Sequence, residues 1–383
     1  IIKKEFDFGN GKIRMMFFRI GGITIEVVEN KENEGTFFGG IGWHTENMRF
    51  CHKRLSDSNF DISEIRKGRK PGTLVSTVRN APLNIPVKKD KLLFLLNKFS
   101  IPVPAFVMPP MNNHGNYVIS LGNLCRWLAE QAENLGVEIF PGFPASKLIY
   151  EDEKVVGVQT GDMGISASGD IKPGHEPGII IKAKYTVLSE GCRGHLGKEV
   201  INKFNLSDGK DPQHYGIGFK EVWKLQEGLH EPGLVMHTNG WPTPFDTPSG
   251  SYLYHGENNE AYVGYVVPLD YKNPSMSPFD EFQKWKTHPS IKKYLQGGER
   301  LSYGARALIK GGLQSLPKME FPGGLLTGDN AGTLNFSKIK GSHTAMKSGL
   351  IAGEHIFENF NNDIKTDITY DDRILSSWIY TEL

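Results

Sequence analysis

The chain has 383 residues, 44 Lys and Arg against 43 Asp and Glu, and a formal net charge of +1. Nothing in that balance points to nucleic acid or to a polyanionic partner. The length allows roughly two to three domains of about 150 residues. The three cysteines, Cys51, Cys125 and Cys192, are far apart and form no Cys-x-x-Cys pair, which argues against a disulfide framework and fits a reducing compartment. No apolar run is long enough for a spanning helix. The start, Ile1-Ile2-Lys3-Lys4-Glu5, lacks the form of a signal or transit peptide, and without an initiator Met the chain reads as a fragment or a processed product.

Residues 24–29 read as a buried strand ending in an acid, Glu29. In dinucleotide-binding folds such an acid binds a ribose hydroxyl about 20 residues after a glycine motif; a solvated strand end is the other reading. Upstream, Gly9 and Gly11 match the first two glycines of Gly-x-Gly-x-x-Gly, but Arg14 fills the third small position. An arginine there should obstruct close packing of helix on strand. Residues 51–80 are charged and broken by Gly68, Pro71 and Gly72, and read as surface. Residues 84–87 and 92–96 read as strands.

The stretch 100–111 is apolar and uncharged, and its four prolines forbid a regular helix or a central strand. It is either a buried loop or an exposed lip that meets a bilayer surface through Ile101, Val103, Phe106, Val107 and Met108. Ser120 then begins an amphipathic helix. Leu121, Leu124, Cys125, Leu128, Ala132 and Leu135 share one face, and Gly136 closes it. Cys125 on that face reads as core. Strands are expected at 137–140, 145–150 and 155–160, and a surface excursion at 161–178.

Residues 179–188 read as a strand ending in Ser189-Glu190-Gly191-Cys192-Arg193-Gly194. A strand ending in such a glycine returns the chain to the cofactor domain in two-domain flavoproteins, so Gly191 is placed near a dinucleotide. Cys192 has no partner cysteine to make it a redox pair. Arg193 suits either a phosphate or a carboxylate. From Tyr215 to Arg306 the composition turns aromatic and β-rich. Strands at 216–222, 233–238, 251–255, 261–267 and 301–305 suggest a mostly antiparallel sheet, with a short helix at 279–286. Such a sheet over a groove suits an elongated apolar ligand, although Trp223, Trp241, Tyr252, Tyr254 and Tyr262 read mainly as core.

The stretch 322–358 is the most informative. A short apolar strand stops at Gly328-Asp329, Gly332 and Gly341 loosen the backbone, and a helical pattern runs from Ser342 through Ala345, Met346, Leu350, Ile356 and Phe357. Ser342 is the expected cap. Asp329, at the carboxyl edge of a sheet, can accept bonds from sugar-like hydroxyls. The helix start offers unpaired donors and partial positive charge to a phosphate or to an electron-rich flavin edge. Gly349 and Gly353, one turn apart, would let a strand or cofactor approach closely.

The run 338–349 (KIKGSHTAMKSG) resembles electron transfer flavoprotein–ubiquinone oxidoreductases. So do 214–221 (HYGIGFKE), 237–242 (HTNGWP), 302–308 (SYGARAL), 311–318 (GGLQSLPK) and the closing 376–378 (SSW). The resemblance covers about residues 82–383. It implies an α/β fold with a discontinuous FAD-binding domain of the glutathione-reductase type (1–50, 118–212 and 312–383), a quinone- and membrane-contact segment at 51–117, and an inserted β-rich quinone-binding domain at 213–311. It implies FAD as cofactor, with Glu29 on the adenosine ribose, Gly191 nearby, Gly328 and Asp329 at the ribityl chain, and Gly341, Ser342, His343 and Thr344 at the helix start facing the flavin ring. His343 reads as a flavin-tuning group or proton source, or equally as a capping or packing residue. Where the family has a Gly-Gly pair offering N–H groups to the quinone, this chain has Ser249-Gly250.

The activity so implied is electron transfer from reduced electron transfer flavoprotein to ubiquinone in the respiratory chain, by a monotopic enzyme on the matrix side of the mitochondrial inner membrane or on a bacterial cytoplasmic membrane. The family continues into a ferredoxin-like domain with a [4Fe–4S] cluster, whose cysteine ligands this chain does not contain. Two other readings remain: a related FAD monooxygenase or geranylgeranyl-reductase-type flavoprotein, and an inactive fragment without a complete FAD site.

Overall fold

Alternating apolar residues between 215 and 309 build one large sheet. Its seven strands run in the order Glu299–Ile309, Tyr215–Lys224, Glu260–Pro268, Gly250–His255, Leu234–Gly240, Lys89–Leu95, Ser100–Pro102. All neighbours are antiparallel except Leu234–Gly240 and Lys89–Leu95, which run parallel with His237 opposite Leu92 and Asn239 opposite Phe94. The sheet therefore takes in strands from before residue 117 as well as those expected between 213 and 311. The computed structural model describes residues 85–360 and 367–383 throughout; before residue 85 it describes three strands and a few short pieces.

One face of the sheet packs under two helices. In Pro278–Thr287, Ser277 caps the start by accepting from the Asp280 N–H at 3.3 Å, and Pro278 sits where no N–H is needed. Asp280 and Glu281 fall in the first turn and Lys284 and Lys286 in the last, complementing the helix dipole. The His288 ring then accepts from the Ser290 N–H and starts Pro289–Leu295. Phe282, Trp285 and Ile291 fill the core beneath with Met236, Leu253, Val263 and Tyr265. The period of two along each strand puts Val235, His237 and Asn239 on the opposite face, with Tyr252, Tyr254 and Tyr262.

A second core lies elsewhere. Thr186–Leu188 pairs in parallel with Gly324–Leu326, which pairs antiparallel with Glu320–Phe321. A Cβ on Gly324 would stand 2.2 Å from the Thr186 carbonyl, so only glycine permits this approach. Leu196, Val200, Leu325, Leu326, Ile351, Tyr370 and Ile374 complete this core. The molecule is thus a mixed α/β protein.

Several expectations change. Residues 137–140 form no strand and are exposed; among the described residues they have no pairing partner. The stretch 179–188 is two strands, because residues 183–185 turn the chain from the Lys154–Thr160 strand to Gly324–Leu326. The excursion at 161–178 carries a hairpin of Met163–Ile165 and Ile171–Glu176. The helix Leu121–Asn134 starts at Ser120, which accepts from the Asn123 N–H, and ends before Gly136 at φ 87°. Its Asn123 side meets Glu257, so Leu121, Cys125, Leu128 and Leu135 face outward. Cys125 is exposed, not core. Ile2–Phe8, Gly11–Ile20 and Ile23–Val28 form an antiparallel meander. Gly11 and Arg14 lie inside one strand of it, so this run is not a strand–turn–helix. Glu29 and Cys51 lie outside the described residues.

Candidate functional site

The Gly324–Leu326 strand ends in a tight turn at Gly328–Asn330. Gly328 has φ 57°, its N–H donates to Ser348 Oγ at 2.9 Å, and an added Cβ would lie 3.1 Å from Ala345 Cβ. The turn is therefore pressed onto the first turns of the Ser342–Phe360 helix. Two polar atoms of this turn, Asp329 Oδ1 and Asn330 Nδ2, and Thr333 Oγ1 just after it are buried without a protein partner. Burial pushes the Asp329 carboxyl above its ordinary value of 3.8. Unpaired buried polar groups are costly; the Asn330 amide is packed against Gly197, whereas the Asp329 side chain is half-buried at the strand end. Gly191, at φ 76°, lies on the Asp329 side: the Asp329 charge acts on Cys192 next to it. Burial first and Asp329 second raise the Cys192 thiol, which keeps it protonated and unreactive. The Arg193 guanidinium lies over the Tyr215 ring at 5.1 Å, and among the described residues it meets no carboxylate.

The Ser342–Phe360 helix begins at Ser342 itself. The cap position falls on Gly341, whose carbonyl accepts from the Ala345 N–H at 2.9 Å and Thr344 Oγ1 at 2.8 Å. Gly349 and Gly353 meet nothing within 4 Å; they lie on an open face with Met346, Leu350 and Phe357, so the expected close approach is absent among the described residues. His343 stacks on Trp378 at 5.7 Å, and its Nε2 lies 2.7 Å from Glu382 Oε1. Glu382 also takes the Lys338 ammonium at 2.7 Å and tethers Asn335 through its main-chain carbonyl. One carboxylate thus clamps both ends of the 335–343 loop. Burial alone would raise it, but Lys338 and His343 together hold it below its ordinary 4.5. Its stabilisation is present above pH 4.5 and is lost as pH falls through the lowered folded value. Glu382→Gln is expected to flatten the acid side of the Tm-against-pH profile, and equal slopes in both proteins would refute the clamp.

This loop faces the second face of the large sheet. Ile339 Cδ1 lies 4.0 Å from where a Gly250 Cβ would be, and Asn239 Nδ2 donates to the Ser249 carbonyl at 3.1 Å. Ser249 is buried, its hydroxyl bonded to Thr243 at 2.5 Å and to Tyr265 at 2.9 Å. A hydroxyl pair that a second glycine could not supply thus fixes the loop. Next to it runs the 100–111 stretch. Phe106 is 81% exposed, Ile101, Val107 and Met108 are also exposed, and Val103 is half-buried. The sequence reading missed a second wall: Phe245 is 93% exposed and packs at 6.4 Å against Phe94, the register partner of Ile101. Its signal was a lone aromatic in the polar, proline-broken run 242–248. Ile101 thus lies near Phe245 through Phe94, and Gly250 near Ile339 of the loop before Ser342. Among the described residues no helix is long and apolar enough to cross a membrane, and no cluster of His, Cys, Asp or Glu could hold a metal ion.

Among solved structures, a geranylgeranyl bacteriochlorophyll reductase-like protein from Thermoplasma acidophilum has this fold. The TM-score is 0.55 at 16% identity, over 76% of this chain and 68% of that one. The chain is a mixed α/β protein of that fold class. Residues 215–308 match the family model described as ETF-QO, ubiquinone-binding. The probable electron transfer flavoprotein-ubiquinone oxidoreductase of Acinetobacter baylyi is 58% identical over 282 residues, 73% of this chain and 50% of its own length. That of Pseudomonas aeruginosa is 53% identical over 313 residues (79% and 56%), and the mitochondrial one of Bos taurus 50% over 315 residues (80% and 51%). The chain belongs to the electron transfer flavoprotein–ubiquinone oxidoreductase family. It spans about half the length of the curated relatives it matches.

Proposed function

We propose that this chain is the flavin- and quinone-binding part of an enzyme that passes electrons from reduced electron transfer flavoprotein to ubiquinone. The observation that carries the reading is the turn at Gly328–Asn330, with unpaired buried polar atoms on Asp329, Asn330 and the following Thr333, set against a helix start and next to a sheet that matches a ubiquinone-binding model. Asp329 and Gly328 would hold the ribityl side of FAD, with Gly191 flanking it. Gly341, Ser342, His343 and Thr344 would lie at the ring, where the N–H groups of the first helical turn favour electron-rich atoms. Glu29 is proposed for the adenosine ribose. When bound, the flavin supplies the redox chemistry.

The protein's own part is positional. Asp329 accepts from ligand hydroxyls, and the Gly250 N–H, in a loop held by Ser249 and Asn239, donates to a quinone oxygen. The lip of Ile101, Val103, Phe106, Val107 and Met108, joined by Phe245, dips into the bilayer surface where an apolar quinone tail lies. This corresponds to a discontinuous FAD domain of the glutathione-reductase type, with peripheral attachment to a mitochondrial inner membrane or a bacterial cytoplasmic membrane. A [4Fe–4S] cluster would be held by parts of the relatives' length that this chain does not span.

The test is an absorbance spectrum after incubation with FAD and desalting, followed by a ubiquinone assay with an artificial donor. Flavin bands near one per chain, and quinone reduction, are expected. Reduction of the bound flavin by NADPH alone would instead favour a monooxygenase or reductase. A folded, colourless protein would refute the flavoenzyme reading. Asp329→Asn is expected to weaken flavin retention by about 10- to 100-fold, as loss of charge-assisted bonds does. Because burial raises this carboxyl, the flavin-free protein loses stability as pH rises from 3.8 through the raised folded value. Asp329→Asn should remove that loss. A flavin-free Tm at pH 7 that does not rise in the variant would contradict the burial.

A further inference from the structure

His237 is 1% exposed, on the face of the Leu234–Gly240 strand that looks toward the 335–341 loop, two residues before Asn239. Its Nε2 is 2.5 Å from the Tyr254 hydroxyl, and its Nδ1 is buried without a protein partner. One ring nitrogen is thus engaged in a hydrogen bond, and the other is buried with its donor or acceptor capacity unused. Its neighbours on that face carry charge or hydroxyls. Lys340 comes from the loop, Asp90 from the Lys89–Leu95 strand, and Tyr252 stacks on Tyr254 at 4.7 Å. Lys340 is half-buried, and its ammonium donates to the Lys338 carbonyl at 3.1 Å.

Reduction of a quinone to a quinol takes two protons with two electrons. In the reading proposed above the quinone would lie among apolar side chains, so the protons need a route. We propose that His237 and Tyr254 form the proton-delivery pair of the quinone site, with Lys340 linking the pair to solvent. This inference rests on the quinone reading. When a bound quinone oxygen is reduced, its new O–H bond would form while the Nδ1–H bond of His237 breaks and Nε2 takes the Tyr254 hydroxyl proton, leaving Tyr254 a short-lived phenolate until that proton returns. A solvent proton carried by Lys340 then returns to Nδ1 while Nε2 gives its proton back to Tyr254. Two such cycles deliver two protons and leave the pair unchanged. Burial and then Lys340 push the His237 ring down to about 3. The ring therefore stays neutral and passes protons across without storing one. Burial, then Tyr252 and Asp90, raise the Tyr254 hydroxyl, so it stays protonated at rest. Burial lowers Lys340, with Asp90 opposing and Lys338 assisting, which eases its release of a proton.

The binding test uses the full chain with nitrogen-15 label and a short-tailed ubiquinone, with no turnover required. Shifts of both the Gly250 amide and His237 Nδ1 are expected. A moving Gly250 with a stationary His237 would overturn the relay and leave the quinone reading intact, whereas no movement of either overturns both. The kinetic test compares His237→Gln and Tyr254→Phe in flavin-loaded protein. Quinone reduction should fall by about 100-fold or more, the range of lost general acid–base catalysis. The solvent isotope effect should change as well, while flavin reduction by dithionite stays as in the parent. Tyr254→Phe keeps the ring packing and guards against a folding defect in His237→Gln. Parent-like rates and isotope effects in Tyr254→Phe would refute the pair.

Discussion

Glu221→Ala is expected to lower the unfolding free energy by about 3–5 kcal/mol, the cost of removing one partner of a buried ion pair. Glu221 is 2% exposed. Its carboxylate takes the Lys286 ammonium at 2.7 Å, the Trp223 indole N–H at 2.7 Å and Arg300 at 3.4 Å. Lys286 is itself nearly buried and lies over the Trp223 and Phe282 rings. Without Glu221 that ammonium keeps its desolvation cost and loses its counter-charge. The group ties the Tyr215–Lys224 strand to the Pro278–Thr287 helix and to the edge strand Glu299–Ile309. Urea unfolding would measure it. A loss below 1 kcal/mol would mean that Lys286 finds water in the variant. Glu221→Ala with Lys286→Met should recover part of the loss, because the stranded charge is then gone.

The second large effect is Trp285→Ala, also about 3–5 kcal/mol, as truncation of a large buried aromatic leaves a cavity that the surroundings fill only in part. Trp285 is 0% exposed and packs against Phe282 and Tyr265. Its indole N–H donates to Thr238 Oγ1 at 2.9 Å, and Thr238 in turn meets Ser251. Thr238 lies between His237 and Asn239, so this helix holds, from behind, the strand that carries these two residues on its other face. Trp285→Phe should cost less, because only the hydrogen bond and part of the ring are lost. Trp285 and Glu221 act through the same short helix, so the double variant should lose less than the sum. Full additivity in a double-mutant cycle would show that the two anchors are independent.

Much of this was legible in the sequence because it depends on local chemistry. The strands around 216–222, 251–255 and 261–267 follow from alternating apolar residues. Ser120 and Gly136 mark a helix by a cap and a left-handed residue. Gly328-Asp329 stops a strand, because the turn there needs a positive φ. Proline limits 100–111 to the three-residue edge strand Ser100–Pro102 and two short 3-10 turns, and most of its apolar side chains lie at the surface. Family membership was also legible, from runs such as 338–349.

The remainder depends on which distant segments meet. Leu121, Cys125, Leu128 and Leu135 have the pattern of a buried face, yet that face is open, since periodicity says which residues share a side and not what covers it. Gly349 and Gly353 permit a close approach that no described segment makes. His343 reads from sequence as a flavin-side group or equally as a capping or packing residue, and its hydrogen-bond partner is Glu382, thirty-nine residues on. The parallel pairing of Lys89–Leu95 with Leu234–Gly240 joins segments more than a hundred residues apart and puts Asp90 on the His237 face. So the sequence by itself determined most strands of the large sheet, the helix after Ser120 and the turn at Asp329, because backbone preference and hydrophobic period are local. Only the tertiary structure decided that His237 is buried with one nitrogen unpaired beside Lys340, because burial and charge at a side chain are set by every element packed around it.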